Sequence, residues 1–148
     1  MIELLVVIAI IGILSALLLS NFVGVRERGA DVGIKNNVRQ LKTALRLYYN
    51  DNQRYPESNG SGGMDGCVDG AQACALGGEF ADGSAVYMNA LPVEFSYYAP
   101  IGGEEFLLRV TLANPSDGDI AASQSTCDLS VPYYSGTTTD LDYFVCSD

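Results

Sequence analysis

Residues 4–19 read LLVVIAIIGILSALLL, an uncharged apolar run broken only by Gly12 and Ser15. No water-soluble fold tolerates such a block at a chain terminus unless something covers it. As a helix the run spans roughly 24 Å at 1.5 Å per residue. With Met1, Ile2, Phe22, Val23 and Val25 added, it approaches the thickness of a bilayer core. The expectation is a transmembrane helix over residues 1–25. The run begins almost at residue 1, without the basic n-region of a secretory signal peptide, and it holds one acid, Glu3. A carboxylate inside a membrane helix costs a few kcal/mol, about 3, and so marks a functional position unless it rests among the headgroups.

Charge is segregated along the chain. Residues 26–54 hold seven of the eight basic residues against Glu27, Asp31 and Asp51, a net +4. Residues 55–148 are acidic throughout except for Arg109, a net −13, and the whole chain carries −10. An acidic surface repels phosphate, which argues against direct nucleic-acid binding by this half.

Within the basic segment Ile34, Val38, Leu41, Leu45 and Tyr48 recur at helical spacing, beside a second stripe of Lys35, Arg39, Lys42 and Arg46. The pattern predicts that the amphipathic half of the same helix, residues 26–54, buries one face. Its basic face is then either solvated or turned to the acidic half of other copies of the chain. The helix should stop near Asn52, ahead of Tyr55-Pro56. Residues 57–85, rich in Gly, Ser and Asp, read as an irregular surface loop. Val93–Ala99, Glu105–Leu112 and Leu141–Cys146 read as strands, with a turn at Gly102-Gly103. An antiparallel sheet folded on the Ile34–Tyr48 stripe gives an α+β head over residues 55–148. The paired tyrosines, such as Tyr97-Tyr98, are explained by core packing, since neighbours on a strand face opposite ways.

Cys67, Cys74, Cys127 and Cys146 all lie in the acidic half, with no CxxC pair and no histidine in the chain. Zinc is disfavoured, and an even count beyond a membrane segment suits disulfides in an oxidising exterior. Three pairings are possible. Cys67 with Cys74 and Cys127 with Cys146 close the nearer loops and are preferred. No nucleophile elbow, phosphate loop or metal-ligand cluster is present, so an enzyme is not expected.

The string IELLVVIAIIGIL closely resembles the N-terminal signature of mature type IV pilins and pseudopilins, and SNFVG and YNDNQRYP resemble the major-pseudopilin branch. The likeness extends to about position 56. It implies the pilin fold and a structural subunit of a type IV pilus-like filament that polymerises through its N-terminal helix. The alternatives are a pseudopilin of a type II secretion or DNA-uptake apparatus, and a membrane-anchored monomeric binding module. The cysteine-bearing loop tilts the reading toward a displayed pilus, and no spacer of the kind an anchored module would need is visible.

In the family a prepilin peptidase removes a short leader and methylates the new amine, and two further residues stand before the position Met1 holds here. The resemblance also implies that Glu3 pairs with the N-terminal amine of a neighbour. Its implied partners are identical subunits, the prepilin peptidase and an inner-membrane assembly platform. Its implied location is the cytoplasmic membrane, then an extracellular filament. Most pilins carry a helix-kinking proline where this chain has Ser20, so unwinding of the assembled stem would rely on Gly12 or the Ser20-Asn21 pair. Type II secretion major pseudopilins also imply calcium in the head. The candidate ligands are Asp117 and Asp119 of the loop Asn114-Pro115-Ser116-Asp117-Gly118-Asp119. No EF-hand pattern is present, and a polar Asp-Gly turn explains the loop more simply.

Overall fold

The computed structural model describes residues 2–67, 72–83 and 85–147; within the first helix, the side chains of residues 17–23 lie outside the description. One helix, α1, runs from Ile2 to Asn52 without a break. At 1.5 Å per residue it is roughly 77 Å long. It ends where Gln53 turns into the left-handed region at φ 56°, its N–H closing a last 2.7 Å bond to the Tyr49 carbonyl. Pro56 follows, and the chain cannot resume the helix there.

The head is built on a three-stranded antiparallel sheet, and its strands are best introduced in chain order. Two short hairpins come first: β1 (Asp65–Cys67) with β2 (Gln72–Ala73), then β3 (Phe80–Asp82) with β4 (Ala85–Met88). β5 (Ser96–Tyr98), β6 (Leu107–Thr111) and β7 (Asp142–Cys146) form the main sheet with β6 in the middle. A second helix, α2 (Gly118–Thr126), lies between β6 and β7 in sequence. Three of these strands fall inside the segments expected from β-branched and aromatic content. Residues 57–85 differ from expectation: that segment carries the first hairpin and the start of the second, whose β4 runs on to Met88, held by main-chain pairing that its Gly- and Ser-rich composition does not advertise.

Alternation along the central strand decides what each face meets. Leu108 and Val110 of β6 join Val38, Leu41, Leu45 and Tyr48 of α1 in the main core, with Tyr97, Phe106, Tyr143 and Val145. Leu107 points the other way, into a second cluster with Phe144 and Cys127, against which Tyr98, Tyr133 and Tyr134 pack. The tyrosine pair of β5 is divided between the two clusters in the same manner. Both faces of the sheet are therefore covered, one by α1 and one by the segment that includes α2's end.

One glycine fixes the seam between stem and sheet. Gly103 adopts φ 64°, and a Cβ there would come within 2.2 Å of the Tyr55 carbonyl oxygen. Its own carbonyl accepts the Tyr55 N–H at 2.7 Å, which ties the chain just past α1 to the β5–β6 turn.

Candidate functional site

Two regions of α1 do different work. In the first, the large apolar side chains from Ile2 to Leu14 are each at least 52% exposed, and Glu3 stands among them in the first turn. Gly12 sits in the same exposed stretch, with open space where a Cβ would be. The Ser20 side chain lies outside the described residues, although the backbone there is helical. Among the described residues no helix is long and apolar enough to cross a membrane. Exposed apolar surface on this scale, continuous around a helix, is far beyond what a monomer leaves in water.

The second region clasps the head. Asp31 and Lys35 are one helical turn apart on α1, at the N-terminal end of the core stripe, and both are buried. The Asp31 carboxylate accepts the backbone N–H groups of Ala113 and Asn114 at 2.8 and 2.9 Å. Lys35 Nζ donates to Oδ2 of Asp117 and to Oδ2 of Asp119, both at 2.8 Å. Asp117 is the N-cap of α2, and its other oxygen accepts the Asp119 N–H at 3.0 Å. Both carboxylates therefore lie at the positive end of the α2 dipole as well as against the ammonium. The hydrogen bond to Lys35, then that from the Asp119 backbone, holds the Asp117 carboxyl below its ordinary range, and the two carboxylates raise the Lys35 ammonium above its own.

This clasp changes the reading of the basic stripe. Lys35 leaves the stripe and turns inward, where the two loop carboxylates satisfy its nearly buried ammonium. Arg39 and Arg46 stay on the exposed flank. Asp31 was missed among the residues expected to matter. Its signal was present: counting back three and four residues from Ile34 and Lys35 puts an acid in line with the core stripe, where a carboxylate must find donors.

The candidate calcium residues, Asp117 and Asp119, are brought together, but around Lys35. Among the described residues no cluster of three or more Cys, Asp, Glu or His side chains is arranged to hold a metal ion. Cys67 is joined to Cys74, across the β1–β2 hairpin, and Cys127 to Cys146, tying the end of α2 to the end of β7.

The long exposed apolar helix that continues into the buried spine of a small antiparallel α+β head defines a pilin-like subunit. The chain is 33% identical over 92 residues to the type II secretion system core protein G of Aeromonas hydrophila, covering 62% of each chain. It is 37% identical over 57 residues to the type IV major pilin protein PilA of Myxococcus xanthus strain DK1622, covering 38% of this chain and 26% of that one. It is also 36% identical over 59 residues to the core protein G of Escherichia coli K12, covering 40% of this chain and 41% of that one. The chain thus spans less than two thirds of the length of each of these relatives. No protein-family model and no solved structure matches. By fold and by these relatives, the chain is similar to type IV pilins and type II secretion pseudopilins.

Proposed function

We propose that the chain is a structural subunit of a type IV pilus-like filament, held in the cytoplasmic membrane by the N-terminal half of α1 until that half transfers into the helical core of the growing polymer. The observation that carries this reading is the exposed apolar run from Ile2 to Leu14, continuous with the helix that forms the spine of the head. Lipid tails and packed helices are equally apolar, so moving α1 from one to the other sacrifices little burial. The polymer then gains van der Waals packing between helices, with the heads forming its wall.

Glu3 supplies registry in this scheme. A carboxylate in a water-free core is tolerated only when a cation is brought to it, and the N-terminal amine of the adjacent subunit is the cation the geometry of parallel, staggered helices can offer. Subunits out of step by a turn would leave Glu3 unpaired. Gly12 and Ser20 are the positions at which the stem could loosen during that transfer. The work is mechanical rather than catalytic, and the upstream steps fall to a prepilin peptidase and an inner-membrane assembly platform. A type II secretion pseudopilus is the second reading, favoured by the longer stretch of likeness to core protein G.

The deciding experiment is electron microscopy of material sheared from cells expressing the full gene, with mass spectrometry of the subunit. Long surface filaments whose subunit begins with a methylated residue upstream of Met1 support the pilus. Filaments seen only when a secretion system is overproduced support the pseudopilus. A subunit that stays monomeric in the membrane under both conditions sinks the polymer reading.

A further inference from the structure

Several oxygen atoms of the loop between β6 and α2 are committed within the protein. Asn114 Oδ1 accepts the Ser116 N–H at 3.2 Å, Asp117 Oδ1 accepts that of Asp119, and both oxygens of Asp31 hold backbone N–H groups of the loop's start. Two oxygens converge on a common point, Oδ2 of Asp117 and Oδ2 of Asp119, and at that point lies Lys35 Nζ, 2.8 Å from each. A calcium ion asks for about six to eight oxygens at about 2.3–2.6 Å. An ammonium group offers three donors and prefers acceptors at about 2.7–2.9 Å. The site meets the second specification and not the first.

We propose that Lys35 is the resident cation of this loop, performing from a covalent tether the task a bound divalent ion would otherwise perform, so that the head holds its fold with no divalent ion and acquires a dependence on one only when Lys35 is removed. The physical need is plain. Two carboxylates held within twice 2.8 Å of each other repel strongly unless positive charge stands between them. The N-terminus of α2 supplies only about half a charge. Because the ammonium is carried by α1, it also fixes the loop to the stem, which a diffusible ion held by the loop alone would not do. This assignment holds whether or not the chain polymerises.

Access for a replacement ion exists. The Asp119 side chain is 54% exposed, and a groove of about 310 Å³ between α1, α2 and β7 opens beside it. With Lys35 shortened to an apolar stub, Asp117 and Asp119 would offer a two-carboxylate, water-completed site of weak affinity, in the range of about 0.1–1 mM typical of extracellular calcium modules.

The test uses the full chain in detergent micelles, melted in about 5 mM Ca²⁺ and in EDTA. The wild type and Lys35→Arg should melt alike in both, and Lys35→Met should melt several degrees lower in EDTA and recover most of the loss in Ca²⁺ but not in NaCl of matched ionic strength. The double variant Lys35→Met/Asp119→Asn, relieved of carboxylate repulsion, should melt above Lys35→Met in EDTA and ignore Ca²⁺. A wild type that loses stability in EDTA overturns the assignment. So does a Lys35→Met protein that melts like the wild type, or whose loss Ca²⁺ does not repair. If Lys35→Met alone does not accumulate, the double variant decides: folding and indifference to Ca²⁺ support the assignment, while failure to fold even with the repulsion removed overturns it.

Discussion

Asp31 and Lys35 occupy successive turns of the same helix face and make opposite demands on one loop: the acid binds its backbone, the base its carboxylates. Removing the acid leaves the backbone N–H groups of Ala113 and Asn114 without the carboxylate that accepts them. Asp31→Ala should therefore destabilise the head by about 2–3 kcal/mol, and Asp31→Asn by less, since the amide oxygen can still serve one donor. Urea unfolding followed by circular dichroism measures the difference, and an Ala variant within about 0.5 kcal/mol of wild type would deny Asp31 its role.

The ion pair makes a prediction about pH. Asp117 titrates below its ordinary range when folded, so its contribution is present above the ordinary carboxylate pKa and fades as pH falls through the lower folded value. Lys35 titrates above its ordinary value, so its share is present below that value and fades as pH climbs through the raised one. Asp117→Asn keeps an N-cap of equal quality and removes only the charge. Its deficit, about 1–2 kcal/mol, should be constant between about pH 5 and pH 9 and should close toward about pH 2. Melting curves of both proteins across that range check it; a gap unchanged at low pH would assign the loss to capping.

At the scale of elements, α1 is two helices in one, and sequence periodicity separates them. Val38, Leu41, Leu45 and Tyr48 are buried to within a few per cent, as their spacing predicts, while Leu47 on the opposite side is 53% exposed. Leu45→Ala should accordingly cost about 2–5 kcal/mol and Leu47→Ala no more than about 0.5, read from thermal melts of the detergent-solubilised monomer. Comparable losses at the two positions would mean that the helix packs on another face.

The three strands of the main sheet were legible because β6 and β7 carry the branched and aromatic residues a two-sided core requires. α2 was not legible. Asn114 through Asp119 reads as turn residues, and Ala121 through Thr126 offers almost no apolar face beyond Ile120, so neither pattern nor propensity announces a helix. Its cause is positional: Asp117 caps it and Lys35 holds the cap, a tertiary contact across 82 residues of sequence. The two hairpins, β1–β2 and β3–β4, were hidden for a related reason, since their stability comes from main-chain pairing and from Met64, Cys67 and Phe80 entering the core rather than from composition.

For the whole molecule the decisive asymmetry is between a stem with a net +4 in residues 26–54 and a head of −13. Lys35 already spends its charge inside the subunit. Any attraction between copies then falls to other basic residues exposed on α1, Arg26, Arg28 and Arg39 among them. If those residues face acidic heads, filaments should shorten under shear in about 1 M NaCl, where the Debye length is about 3 Å, relative to about 0.05 M. Helix burial responds to salt in the opposite sense, because excluded ions strengthen apolar contacts. Length distributions measured by electron microscopy at the two salts therefore separate the forces: shortening assigns cohesion to charge, and unchanged or longer filaments assign it to the helices.

Glu3 belongs to the same scale, since its proposed partner lies on another copy. Glu3→Gln leaves an apolar helix with no charge to desolvate, so membrane insertion should be equal or better, by up to about 3 kcal/mol if the carboxylate had entered the hydrocarbon. Assembly should respond oppositely. With no carboxylate to be neutralised, an incoming subunit loses the penalty that rejects a misplaced neighbour, and with it the preference for one stagger. The expected outcome is normal amounts of membrane-bound subunit with at least tenfold fewer filaments, equivalent to about 1.4 kcal/mol at the addition step, quantified by immunoblotting membrane and sheared fractions. Normal filaments from Glu3→Gln would instead place the carboxylate in the headgroup region and leave registry to the packing of α1.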